Sequence, residues 1–152
     1  MSVVYYRRRW IDDEEPAMPT LPWTAAKAGV PRGTDVIVMA SRFDLRSWRD
    51  VLPFLLAAFR IRRQMLNSTG AVGVSLIARP TQRTFYTLSA WQDRDALDAA
   101  VGRRPHVETM TRFGPRMAGS RFASWTAPAS TGVPPTWAEA YDRLRHEEGL
   151  HG

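Results

Sequence analysis

The sequence predicts an α+β fold in which two β-α-β units are split around a hairpin, in the order βαββαβ. Three observations carry this. Apolar runs of strand length alternate with two stretches of helical period, and the two middle strands are joined by a short loop. Thr84 to Trp91 divides its side chains into Phe85, Thr87, Ser89 and Trp91 on one face and Tyr86, Leu88 and Ala90 on the other. His106, Met110 and Phe113 recur at i, i+4 and i+7, which places them on one helical face.

In chain order, residues 1–33 read as an N-terminal arm. RRRW is followed by IDDEEP and by Pro16, Pro19, Pro22 and Pro31, and no period of 2 or 3.6 survives that punctuation. Tyr5, Tyr6, Trp10 and Trp23 argue for packing of this arm, on its own domain or on a partner. Asp35 to Phe43 is an apolar strand. Ser47 or Asp50 then caps a helix whose buried stripe is expected to be Trp48, Leu52, Leu55, Leu56, Phe59 and Leu66, with Pro53 near its start. Arg60, Arg62 and Arg63 are read as a solvated face, with anion binding as the alternative.

Asn67 to Gly70 is a turn, Ala71 to Ala78 a second strand, and Arg79 to Arg83 a hairpin loop into the third strand at Thr84. Asp93 caps a helix marked by Ala96, Leu97, Ala100 and Val101, which Gly102 interrupts. Pro105 opens a second helical piece, and Gly114 with Pro115 ends it. Pro115 to Ala127 is the fourth strand, with a bulge or close approach at Gly119. The order is that of the ferredoxin-like motif, spanning residues 34–128. Residues 129–152 form a linker and an amphipathic helix, capped by Thr136 and Glu139, marked by Trp137, Ala140, Tyr141 and Leu144, and ended by Gly149. Both middle strands are apolar on two faces, and two helices cover only one. A homodimer joined through its sheets is therefore expected.

Composition narrows the function. The chain has 152 residues, enough for one domain with a sizeable core. It has no cysteine, which removes disulfides, thiolate nucleophiles and Cys-based zinc sites. The net charge of +6 raises nucleic acid as a partner, but Lys27 is the only lysine, which speaks for arginine bias more than for a selected patch. No run is long enough for a membrane span, and MSVVYYRRRW lacks a signal-peptide core, so a cytoplasmic protein is expected. No Walker loop, dinucleotide fingerprint, nucleophile elbow or pair of carboxylates is evident.

The stretch TGAVGVSLIARP, a short hairpin and FYTLSAWQDRDALDAAV resemble the antibiotic-biosynthesis-monooxygenase-like group of the dimeric α+β barrel superfamily. RPHVETMTRF, followed by a strand ending RFASW, is nearest in pattern to spheroidene monooxygenase-like proteins. The resemblance implies a dimeric barrel, a pocket between sheet and helices, and a small-molecule monooxygenase acting on an apolar substrate. It also implies His106 as an axial ligand to haem iron, with Arg112, Arg116 and Arg121 as candidates for the propionates and Trp91, Tyr86, Met110, Phe113, Phe122 and Trp48 as pocket walls. Haem-degrading relatives carry a helix tryptophan ahead of their histidine, where this chain has only Ala96, Ala99 and Ala100. The superfamily also holds cofactor-free oxygenases and proteins without known catalysis, so a non-catalytic ligand-binding or accessory protein is the alternative.

Overall fold

The computed structural model describes residues 20–26, 35–128 and 135–151, with side chains to residue 147. The expected packing of Tyr5, Tyr6 and Trp10 and the 129–134 linker lie outside the described residues. Among the described residues five strands form one antiparallel sheet: β1 (Leu21–Ala25), β2 (Asp35–Leu45), β3 (Ala71–Arg79), β4 (Thr84–Trp91) and β5 (Met117–Pro128). Their order across the sheet is β1-β3-β4-β2-β5. Among the same residues four α-helices accompany them: α1 (Val51–Leu66), α2 (Arg94–Val101), α3 (His106–Phe113) and α4 (Trp137–His151). Strands β2 to β5 with α1 and the α2–α3 pair make the ferredoxin-like βαββαβ core.

Local signals set most boundaries. The Asp93 side chain accepts the Ala96 amide at 2.8 Å and starts α2. The Thr136 hydroxyl accepts the Glu139 amide at 3.2 Å and starts α4, which runs on past Gly149. Gly70 closes the α1–β3 turn at φ +83°, a conformation that side chains resist. The β2–β5 register slips between Asp44 and Leu45, opposite Gly119 and Met117, which is the bulge expected there.

Three expectations are corrected. The arm contributes a strand: β1 pairs antiparallel with β3, with an irregularity between Leu21 and Thr24 that accommodates Pro22. Proline has no ladder N–H and is tolerated on such an edge, so the residue that hid the strand in the sequence is one an edge strand can hold. Gly73 is matched to this pairing, because a Cβ there would overlap the Trp23 indole.

The second correction concerns α1. Phe54, Ala58 and Met65 are buried against the sheet, whereas Trp48, Leu52, Leu56 and Phe59 are 57%, 63%, 52% and 37% exposed. Of the expected stripe only Leu55 and Leu66 are partly buried and packed on the core; the helix is apolar on most sides, and period alone did not select the buried one. Asp50 is not a side-chain cap. It is buried and accepts Arg116 Nη1 at 2.7 Å, while Ser47 accepts the Arg49 amide and caps the short 3₁₀ turn Trp48–Asp50.

The third concerns the second face of the sheet. Ala140, Tyr141 and Leu144 of α4 bury themselves on Val36, Val38, Ala40, Tyr86, Leu88, Ala90, Ala123 and Trp125. Tyr86 meets Tyr141 edge-on at 5.1 Å, and the Trp137 indole donates to Ser75 Oγ at 3.0 Å. The face that carried the expectation of sheet-to-sheet pairing is thus covered from within the chain. Helices lie on both sides of the sheet.

Candidate functional site

The helix-side face of the sheet is built by alternation. Met39, Ser41 and Phe43 on β2, Phe85, Thr87 and Ser89 on β4, and Val74 and Leu76 on β3 point the same way. At the two ends of the interface, large side chains close the gap. Phe54 packs edge-on against Phe43, Phe85 and Phe113, with centroids 4.8–5.7 Å apart. Trp91, Leu97, Ala100 and Met65 pack the other end. Between them lies a cavity of about 360 Å³, roofed by Ala58, Ile61 and Arg62 of α1, Leu97 and Val101 of α2, and His106 and Met110 of α3. Its volume falls within the range of small-molecule pockets, and its walls are largely apolar.

His106 is the first residue of α3, directly after the break at Gly102 to Pro105. Its half-buried ring lines the cavity, and the buried Nδ1 has no hydrogen-bond partner among the described residues. Burial holds its pKa below 6.5, with a smaller opposing contribution from a hydrogen bond to the Val101 backbone. The imidazole is therefore neutral at pH 7, able to accept a proton or to coordinate.

Of the residues expected at the site, His106, Met110 and Phe122 line the cavity. Phe113 and Trp91 are fully buried beside it as packing. Tyr86 faces α4 on the opposite side of the sheet. Trp48 is on the surface beneath the Arg83 guanidinium. Arg112 is exposed and reaches over the Phe113 ring, Arg116 is committed to Asp50, and Arg121 lies across from Arg42 in the β2–β5 register, on the α4 side. None of the three borders the cavity. Arg60 and Arg63 point to solvent while Arg62 lines the cavity, so the three do not form the single solvated face expected of them. Arg62, expected on a solvated face with anion binding as the alternative, lies in the cavity wall. The signal was its i+4 spacing from Ala58 and i+8 from Phe54.

No protein-family model matches the sequence, and no curated protein does. Solved structures do match. A candidate monooxygenase from Fusobacterium nucleatum superposes with a TM-score of 0.58 at 14% identity, over 67% of this chain and 46% of that one. The present chain thus spans about half of that protein. SnoaB, a cofactor-independent oxygenase from Streptomyces nogalater, matches over 62% of this chain and 94% of its own, at TM-score 0.51 and 18% identity. A candidate antibiotic biosynthesis monooxygenase from Nitrosomonas europaea matches over 64% and 94%, at 0.54 and 11%. The fold is that of the antibiotic-biosynthesis-monooxygenase-like proteins. At these identities the likeness speaks for the fold, and function has to be argued from the site.

The site does not fit haem. A histidine is present, but the arginines that the resemblance implied for the propionates lie outside the cavity. The cavity itself, at about 360 Å³, is near the lower end of the range for drug-sized ligands. Among the described residues no cluster of three or more acidic or histidine side chains could hold a metal ion, and no helix is long and apolar enough to cross a membrane.

Proposed function

We propose that this protein is a small-molecule oxygenase that works without haem on an apolar substrate held in the cavity, with His106 as general base. The observation that carries this is the neutral His106 ring lining a largely apolar cavity. Such a base is unprotonated at neutral pH and needs no desolvation when the substrate enters. The fold's likeness to SnoaB, described as a cofactor-independent oxygenase, supports the same reading.

In this mechanism the imidazole accepts a proton from an acidic C–H of the bound substrate. The substrate anion passes one electron to dioxygen, and the radical pair combines to form the C–O bond of a hydroperoxide, whose proton returns from the imidazolium. Loss of water leaves a carbonyl, so a CH₂ group and O₂ become C=O and H₂O. The apolar walls keep bulk water from quenching the anion.

One observation favours the rival, a ligand-binding or accessory protein. Among the described residues no carboxylate lines the cavity to orient His106. Oxygen uptake with a panel of polycyclic phenols bearing an acidic C–H separates the two. Uptake that rises with pH through a midpoint below 6.5 and is lost in His106→Ala supports the oxygenase. Binding without uptake across the panel supports the rival. Titration with haemin is expected to give no one-to-one Soret species dependent on His106, and a species lost in His106→Ala would replace this reading with a haem-dependent one. Self-association is proposed on fold analogy alone, and sedimentation at micromolar concentration tests it.

A further inference from the structure

The always-charged side chain in the cavity wall is Arg62, half-buried on α1. Its Nη2 donates to Thr24 Oγ1 at 2.7 Å, so the guanidinium is held by β1, the strand that the arm adds to the sheet. Its Nε is buried and has no hydrogen-bond partner among the described residues. Among the described residues no carboxylate lines the cavity to neutralise it. A guanidinium N–H shut away from water without an acceptor is costly, and structures keep few of them. No hydroxyl among the described residues accepts from Arg62 Nε.

We infer that Arg62 makes the cavity selective for a small apolar molecule carrying one anionic oxygen group, a carboxylate or a phenolate. Its body lies along the apolar walls and its oxyanion accepts from Arg62. The inference rests on the reading of the cavity as the binding site. An anion in the cavity supplies the counter-charge that no described carboxylate there provides, and a charge-assisted hydrogen bond in apolar surroundings is among the stronger ones. β1 becomes part of the specificity device, because Thr24 fixes where the guanidinium sits. His106 does not compete for this role at pH 8, where burial keeps its ring neutral.

The test compares 2-naphthoate with 2-naphthamide, which have the same body and differ in charge, by calorimetric titration of the full chain at pH 8. The wild type is expected to prefer the carboxylate by about tenfold to a hundredfold, the range of a hydrogen bond to a charged group. Arg62→Met should abolish that preference by lowering naphthoate affinity more than naphthamide affinity, Arg62→Lys should retain part of it, and Thr24→Val should weaken it. Equal wild-type affinity for the two ligands overturns the inference without touching the cavity reading, and needs no variant to fold. A preference that survives in folded Arg62→Met overturns it as well. If neither ligand binds, the cavity reading falls and takes this inference with it.

Discussion

Two leucines offer a direct test of how the helices are seated. Leu144 on α4 is 1% exposed against the second face of the sheet, while Leu56 on α1 is 52% exposed. The same change, Leu→Ala, is proposed at each. At Leu144 the substitution removes fully buried methyl groups from a cluster that includes Val38, Ala40 and Leu88. Such truncations cost about 2–5 kcal/mol through lost transfer energy and the cavity left behind. A helix resting on a sheet can settle partway into the gap, so about 3 kcal/mol is expected here. That is a large share of the roughly 5–15 kcal/mol that stabilises a typical domain. For a chain of this length it corresponds to a fall in Tm of about 6–12 °C. At Leu56 the half-exposed side chain loses little contact, and alanine is the better helix former, so a change under about 1 kcal/mol is expected. Urea unfolding followed by circular dichroism reads both, and an unchanged m-value confirms that stability moved rather than the unfolded ensemble. Equal losses, or the larger loss at Leu56, would refute the seating of both helices. In that case α1 would bury the stripe that its sequence suggested, and α4 would not cover the sheet.

Three further outcomes follow from single contacts. Gly73→Ala should cost about 1–3 kcal/mol by forcing Trp23 off the sheet, and combining it with Trp23→Ala should cost less than the sum, as a double-mutant cycle reads. Arg116→Ala should cost about 1–2 kcal/mol by leaving buried Asp50 without its partner, a figure discounted for the half-exposed arginine, whereas Arg112→Ala should stay within about 0.5 kcal/mol in chemical denaturation. NMR titration should place the His106 midpoint below 6.5. Because the unfolded chain takes up that proton more readily, His106 contributes nothing above pH 7 and destabilises the fold as pH falls through 6.5, levelling off below the folded-state value. The difference in stability between wild type and His106→Gln should follow that course, and a midpoint at or above 6.5 would contradict burial of the ring.

What the sequence determined by itself is what neighbouring residues decide among themselves. The Asp93 and Thr136 caps, the break between Val101 and His106, the loop before Thr84 and the shared face of His106, Met110 and Phe113 all depend on groups within a turn or two of each other. So does the two-faced alternation of Thr84 to Trp91, which is why the order of core elements and the position of the histidine are legible in the sequence. The tertiary structure decided which of several apolar surfaces meets which. On α1, Leu52–Leu56–Phe59 and Phe54–Ala58–Met65 are both helical stripes, and a period cannot choose between them. The choice comes from Phe43, Phe85 and Phe113, which receive Phe54 edge-on and lie far away in the chain. The same reason hid β1, whose edge position tolerates Pro22, and the cover that α4 gives to the second face. It also hid Arg62, which reads as surface charge in sequence and becomes part of a cavity wall only because Phe54 and Met65 turn that side of α1 inward.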